Sequence, residues 1–404
     1  MVGIQFVISM AFTIMTPFLP LFIYDLGVHR AGPLDLWSGV INSLPFIIAA
    51  LVSPYWGAMA DRRGRKLMVL RSAAAVSLFT GLMGTSQSVW QLVFWRTLMG
   101  AFSGFNAASI ALVGSEAPDD QLGYALGWLQ SGSLLGGVAG PLIGGVLADA
   151  FGSYRVVFYA TSLLALVATF ASAFMVRESY VPKPGTQAAG PPPNVFKSFS
   201  AMGQTVFVLL AVLFMAQLGV RLVQPVVTLF VRQLVGPGPA LATLAGVAFA
   251  VTGIGDLIGS PFLGKRSDQI GYRRVLLVTV MGTTLFFIPQ FFVTNIYAFI
   301  AMRFGLGLFI GGIIPTANAM IGHLTPTAER GRIFGATASA TFLGNFAGPL
   351  LGGSFAAIWS IRATFLISAA LFALTFVWIW RRLPEFRVLE GGRVTRPRPS
   401  RDSL

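Results

Sequence analysis

The chain has no cysteine and only two histidines, His29 and His323. Disulfides, thiolate metal sites and cysteine nucleophiles are therefore excluded, and two isolated histidines do not make a metal cluster. Charge is scarce too: only 10% of the 404 residues are Asp, Glu, Lys or Arg. Neither HExxH nor GxSxG occurs, so the common hydrolase signatures are missing. Residues 259–266, GSPFLGKR, come close to a phosphate-binding loop, but Arg266 replaces the needed Ser or Thr and a membrane-type helix precedes it in place of a strand. An enzyme, a bound cofactor and a nucleotide drive all go unsupported.

What is abundant is apolar sequence. At 55% hydrophobic residues and a mean hydropathy of +0.76, the chain is too apolar for a soluble globule. Apolar stretches of about 20 residues, each able to cross a bilayer as a helix, fill most of its length. Twelve spans are predicted, near 3–23, 37–59, 67–87, 89–113, 121–149, 155–176, 203–231, 241–263, 275–294, 296–322, 331–358 and 363–382. The 46 glycines and 23 prolines suit packed, kinked membrane helices. The first span lacks a basic lead and a cleavage site, so it reads as a retained helix with a trimmed or late start.

The net charge of +14 raises the question of nucleic acid, but its distribution answers with a membrane. Arg96, Arg221 and Arg303 fall inside spans, and Arg30, Arg155, Arg232 and Arg362 fall at one set of ends. The remaining Lys and Arg gather at the other ends, the positive-inside pattern. This places both termini in the cytoplasm of a multi-pass protein of the cell (inner) membrane, with the bilayer as partner.

The chain also repeats itself at an offset of 207 to 208 residues. Gly57, Asp61 and Gly64 recur as Gly264, Asp268 and Gly271, Arg96 as Arg303, Arg155 as Arg362, and Gly140-Pro141 with Gly144-Gly145 as Gly348-Pro349 with Gly352-Gly353. The expected organisation is a six-helix half at 1–176, a Pro- and Gly-rich cytoplasmic linker at 177–200, a second six-helix half at 201–382 and a basic tail at 383–404. Duplicated membrane halves create a central cavity where a solute can be held and exposed to either side.

Four features carry candidate chemistry. In GAMADRRGRK (57–66), Gly57 is expected to let two helices approach and Gly64 to permit a sharp reversal. Arg62, Arg63, Arg65 and Lys66 anchor the loop on the cytoplasmic side, and Asp61 sits where it can pair with Arg or a helix N-terminus; the bland alternative is a basic topogenic loop. In span 5, Gly136, Gly140, Pro141, Gly144 and Gly145 form a smooth, kinked stripe, which simple small-residue packing explains in large part. Arg96, with Gly100 and Gly104 on its face, is a costly intramembrane cation that marks function or bonds to backbone carbonyls. Asp256 is the one acid clearly inside a span, and its first-half counterpart is Ala49. Buried carboxyls exchange protons near neutral pH unless paired, and Arg221 is the candidate partner. Asn42, Asn106, Gln130, Gln217, Arg221, Gln224 and Asn318 are candidate substrate-cavity groups, while Asp25 and Asp35 read as solvated ends. Span 1 carries no acid, only Gln5, Ser9, Thr13 and Thr16.

The duplicated loop resembles the signature of the major facilitator superfamily, and the resemblance covers the whole chain. The order PFLPLF (17–22), WSG (37–39), SPYWGAMADRRGRKLMVLRSA (53–73) and YALG (124–127) is similar to the MdtG-type branch of bacterial drug:proton antiporters. The resemblance implies the major facilitator fold, alternating access and proton-coupled efflux of hydrophobic small molecules, by a protein functional as a monomer. It implies that Gly57, Asp61, Gly64 and Arg65, with Gly264, Asp268 and Gly271, form a conformational switch. It likewise makes the GPxxGG run an antiporter-like motif and Arg96 a proton-coupling residue. A metabolite importer is the alternative, with Arg96 and Arg303 holding an anion. A sensor or membrane enzyme would need a soluble domain or catalytic cluster that the sequence lacks.

Overall fold

In the computed structural model, residues 1–118, 120–176, 178, 204–325, 329–385, 387–388 and 394–395 are described; for Asp61, 330–332 and the last two pairs this covers the backbone alone. Most of the linker and tail read from the sequence therefore lies outside the described residues. Twelve helical segments run through the described residues. Eleven are long and apolar enough to cross a membrane: α1 Val2–Asp25, α2 from Ala31, α3 Arg65–Gly84, α4 Val89–Glu116, α5 Leu122–Phe151, α6 Tyr154–Met175, α7 Gln204–Val235, α8 Leu241–Ile270, α9 Tyr272–Phe292, α10 Ile296–Leu324 and α12 Ile361–Arg382. The remaining segment, α11 Arg330–Ile358, spans 29 residues, but Asn345, Pro349 and its glycines dilute its apolar content. In the tail, Arg387–Val388 and Val394–Thr395 pair antiparallel.

Local sequence accounts for the breaks. α1 loses its α-helical ladder between Ile14 and Leu19, where Pro17 falls within a short 3₁₀ turn. α4 is interrupted at Gly104, whose φ is 118°, and α10 between Ile310 and Ile313. Ser88 caps α4 by accepting from Gln91 N, and Asn295, 207 residues later, caps α10 by accepting from Tyr297 N.

The chain groups into two compact units. One takes in the described residues of Met1–Pro192 with Gln224–Ala250 and Pro349–Ile361; the other takes in those of Pro193–Val223, Val251–Gly348 and Arg362–Leu404. In the first unit α1 packs along α5, α3 along α6, and α2 along α4. Ile4, Ile8, Val69, Val76, Phe105, Leu112 and Ala165 close its core. In the second unit α9 packs along α10, with Phe287 and Phe372 stacked at 5.7 Å.

Candidate functional site

The duplicated loop is mostly helix. Gly57 and Asp61 lie within α2, which runs to Arg63; Gly64 alone makes the reversal, at φ 95°, and α3 begins at Arg65. In the second copy α8 runs to Ile270, Gly271 turns at φ 99°, and α9 starts at Tyr272. L side chains rarely adopt such backbone angles, so glycine is required at both turns. The close approach expected at Gly57 is not seen among the described residues: apart from its own helix backbone, no atom lies within 4 Å of where its Cβ would stand, and the same holds for Gly264. The Asp61 side chain lies outside the described residues, whereas Asp268 accepts a 2.8 Å hydrogen bond from Tyr272 Oη.

The carboxylate that holds the first turn comes from inside the expected linker. Glu178 accepts from the backbone N–H groups of Arg65 at 2.7 Å and Lys66 at 2.9 Å, capping α3. Arg65 also donates to Ala111 O at 2.8 Å, and Lys66 Nζ to Ala173 O at 2.9 Å. Adding 207 to these numbers gives the second copy: Arg273 donates to Trp380 O at 2.6 Å and pairs with Glu385 at 3.5 Å. The repeat offset was the available signal for Glu178, since it maps onto another glutamate.

In α5 the glycine stripe is an interhelical contact surface. A Cβ on Gly136 would meet Phe6 O, and one on Gly140 would meet Thr13 Oγ1 and stand 2.7 Å from Met10 O. The other face serves α8, where Gly145 approaches Ala242 O and Gly246 approaches Pro141 O. Both contacts belong to the first unit. The polar stripe of α1 lies along the same surface: Ser9 bonds Ser133 at 3.0 Å, Thr13 donates to Gly136 O at 3.2 Å, and Gln5 donates to Asn106 Oδ1 at 3.0 Å. Gln5 Oε1 and Ser109 Oγ stay buried without a hydrogen-bond partner among the described residues.

Arg96 is 6% exposed, with Nη1 3.5 Å from Met15 Sδ and Nε without a hydrogen-bond partner among the described residues. Gly100 lets α4 approach the Pro45 backbone of α2, but Gly104 sits at the helix break, which interrupts the expected Arg96–Gly100–Gly104 face. A further cation lies on a membrane-type helix in the same unit. Arg71, two turns into α3, stacks on Trp56 at 3.5 Å and donates to Ser103 O at 3.0 Å beside that break. A short distance from a basic loop made it look cytoplasmic.

Asp256 lies on α8 against the interruption of α10, its Oδ1 in the space a Cβ on Gly311 would need. It forms no ion pair among the described residues, so pairing with Arg221 does not occur; Arg221 Nε donates to Asn345 Oδ1 at 3.0 Å. Arg303 is buried nearby on α10. The candidate cavity groups differ in their surroundings. Asn42 is buried and donates to Ser38 O of its own helix. Gln130 is exposed, Gln217 packs its Cβ against Gly344, Gln224 lies half-buried on α7, and Asn318 Oδ1 is buried without a hydrogen bond among the described residues. Asp35 contradicts its reading as a solvated end: it is 3% exposed.

The sequence model of the Major Facilitator Superfamily matches residues 1–244 and again 209–401. The chain belongs to that superfamily. Multidrug resistance protein MdtG of Salmonella paratyphi A is 33% identical over 385 residues, covering 95% of this chain and 94% of its own. MdtG of Escherichia coli K12 is 33% identical over 383 residues, with 95% and 93% covered. Among solved structures, a bacterial homologue of the human lysosomal transporter Spinster, inward-facing and unoccupied, aligns at TM-score 0.72 and 14% identity, covering 94% and 95%. The human organic anion transporter MFSD10 aligns at 0.68 and 17%, covering 94% and 97%. These two likenesses establish the fold alone. The fold is therefore the twelve-helix facilitator architecture of a multi-pass membrane transporter.

Proposed function

We propose that this transporter exports hydrophobic small molecules, drugs included, in exchange for protons, by alternating access. The observation that carries the reading is 33% identity along 95% of the chain with proteins named for multidrug resistance. Asp256, unpaired against the α10 break, is the proposed proton carrier, and Arg96 tunes the coupling from α4. The hinges at Gly64 and Gly271, with Arg65 and Asp268, form the switch at the ends of the helices, and Asp61 belongs with them by sequence. The substrate meets polar groups drawn from Asn106, Gln130, Gln217, Arg221, Gln224 and Asn318. Asn42 is buried, and its amide donates within α2. The protein acts as a monomer in the cytoplasmic membrane with both termini in the cytoplasm.

The test is dye transport by the purified chain in liposomes. Export against a concentration gradient that collapses with the proton gradient supports the reading. Transport indifferent to pH would sink proton coupling, and growth on a single nutrient only when the chain is expressed would favour import.

A further inference from the structure

The first unit contains two seams between a first-repeat helix and a second-repeat helix, and the repeat relates one seam to the other. In the α5–α8 seam, Gly145 meets Ala242 O and Gly246 meets Pro141 O; in the α2–α11 seam, Gly353 meets Asp35 O and Gly39 meets Pro349 O. The backbones correspond pair by pair. Their acids do not.

In the α5–α8 seam the acid is Asp149 on α5. Its two oxygens accept from Ala242 N at 3.1 Å and Thr243 N at 2.7 Å, so its charge is met by the first turn of α8. The counterpart of Asp149 is Ala357, while Asp35 occupies the position that Ala242 holds in the other seam. Asp35 is 3% exposed, and its carboxyl has no hydrogen bond or ion pair among the described residues. The facing stretch, residues 349–358 of α11 with 359–361 after it, contains no titratable group. From α4 come Trp90, in edge contact with Trp37 at 4.9 Å, Arg96, turned onto Met15, and Glu116 at the far end. The last turns of α1 and the turn that follows bring Tyr24, Asp25, His29 and Arg30, with Tyr24 taken up by the His29 ring and the Arg232 guanidinium. α3 brings Arg65, Lys66 and Arg71, each bonded elsewhere, and α2 itself adds Tyr55, Asp61, Arg62 and Arg63 toward its opposite end.

A charge enclosed without a partner is costly, and a proton or water removes that cost. We propose that Asp35 is a proton-binding site whose occupancy is coupled to the packing of α2 on α11: protonated in the packed seam, ionised when the seam opens and water enters. This deepens the export reading by naming a second acid through which a proton biases the conformational cycle, and it rests on that reading for its physiological meaning. Asp35 is a positioning group here, since it acts on helix packing.

The absence of cysteine makes the test direct. Spin labels are attached at Ala31→Cys and Ile358→Cys, both exposed positions at the ends of this seam, and the inter-label distance is measured by pulsed electron resonance in liposomes without dye. In the parent background the short-distance population grows as pH falls. Asp35→Asn, a permanently neutral isostere, holds the short distance at every pH, and Asp35→Glu restores the response. A parental pH response that survives Asp35→Asn, or no response in the parent, overturns the proposal. Dye efflux by the parent is measured in the same liposomes. If it ignores the proton gradient the export reading falls, while the distances still decide on Asp35.

Discussion

Arg155 places Nη1 2.6 Å from the carbonyl oxygen of Gly84, the last residue of α3. The relationship recurs 207 residues on, where Arg362 Nη1 lies 2.6 Å from Phe291 O in the last turn of α9. Each arginine answers a helix C-terminus, whose carbonyls lack intrahelical partners and carry partial negative charge. The duplicated sequence thus encodes duplicated stitches as well as duplicated helices.

Arg155→Ala should lower stability by about 1.5–3 kcal/mol, the usual range for a hydrogen bond to a charged group. Arg362→Ala should cost a similar amount. Thermal unfolding of purified variants in detergent measures both. Unchanged midpoints for both would show the stitches to be ornamental.

Glu178→Ala should cost about 1 kcal/mol by leaving the first N–H groups of α3 without their cap. Glu178→Asp, whose side chain is one methylene shorter, should recover part of this. The same thermal scans apply, and a Glu178→Ala protein as stable as the parent would contradict the capping role.

Adding a methyl group discriminates the two faces of α5. Gly136→Ala pushes a Cβ into Phe6 O of α1 and should destabilise by about 1–3 kcal/mol, as overpacking does. Gly137→Ala, where nothing lies within 4 Å, should be tolerated. Fluorescence-detected size exclusion of the two variants gives the answer. Equal yields and midpoints would remove the close-packing account of Gly136 in the α5 glycine stripe.

Asp256→Asn should reduce proton-driven dye efflux by about 100-fold, the lower end for a lost proton-transfer group, with dye binding retained. Arg96→Ala should weaken coupling also. Efflux from liposomes under an imposed pH gradient, beside dye binding by fluorescence polarisation, separates the effects. Full coupling in Asp256→Asn would move the proton pathway elsewhere.

Much of the fold was legible because each helix must satisfy its own backbone hydrogen bonds in lipid, so length and hydropathy nearly suffice. The predicted spans lie within a few residues of the observed ones except where α2 begins near Ala31 and where α2 and α8 continue through the motif as far as their glycine hinges. The loop reading failed there because a charged run looks like a loop, although Arg, Lys and Asp are tolerated on a helix that emerges from the bilayer. The site was less legible. Asp35 reads from the sequence as a solvated end yet is buried, and no local pattern marks Arg71 as the partner of Ser103 or Glu178 as the cap of α3.

By itself, the sequence determined what needs only composition, period and duplication: membrane residence, twelve helices, the repeat, and the superfamily with its two glycine hinges. Tertiary structure alone decided which polar groups find partners. Asp149 and Asp35 look alike as acids near helix ends, but among the described residues one receives two backbone N–H groups and the other receives none. That difference depends on which helix crosses which, at a range of angstroms between residues nearly a hundred positions apart or more, and no local pattern records it.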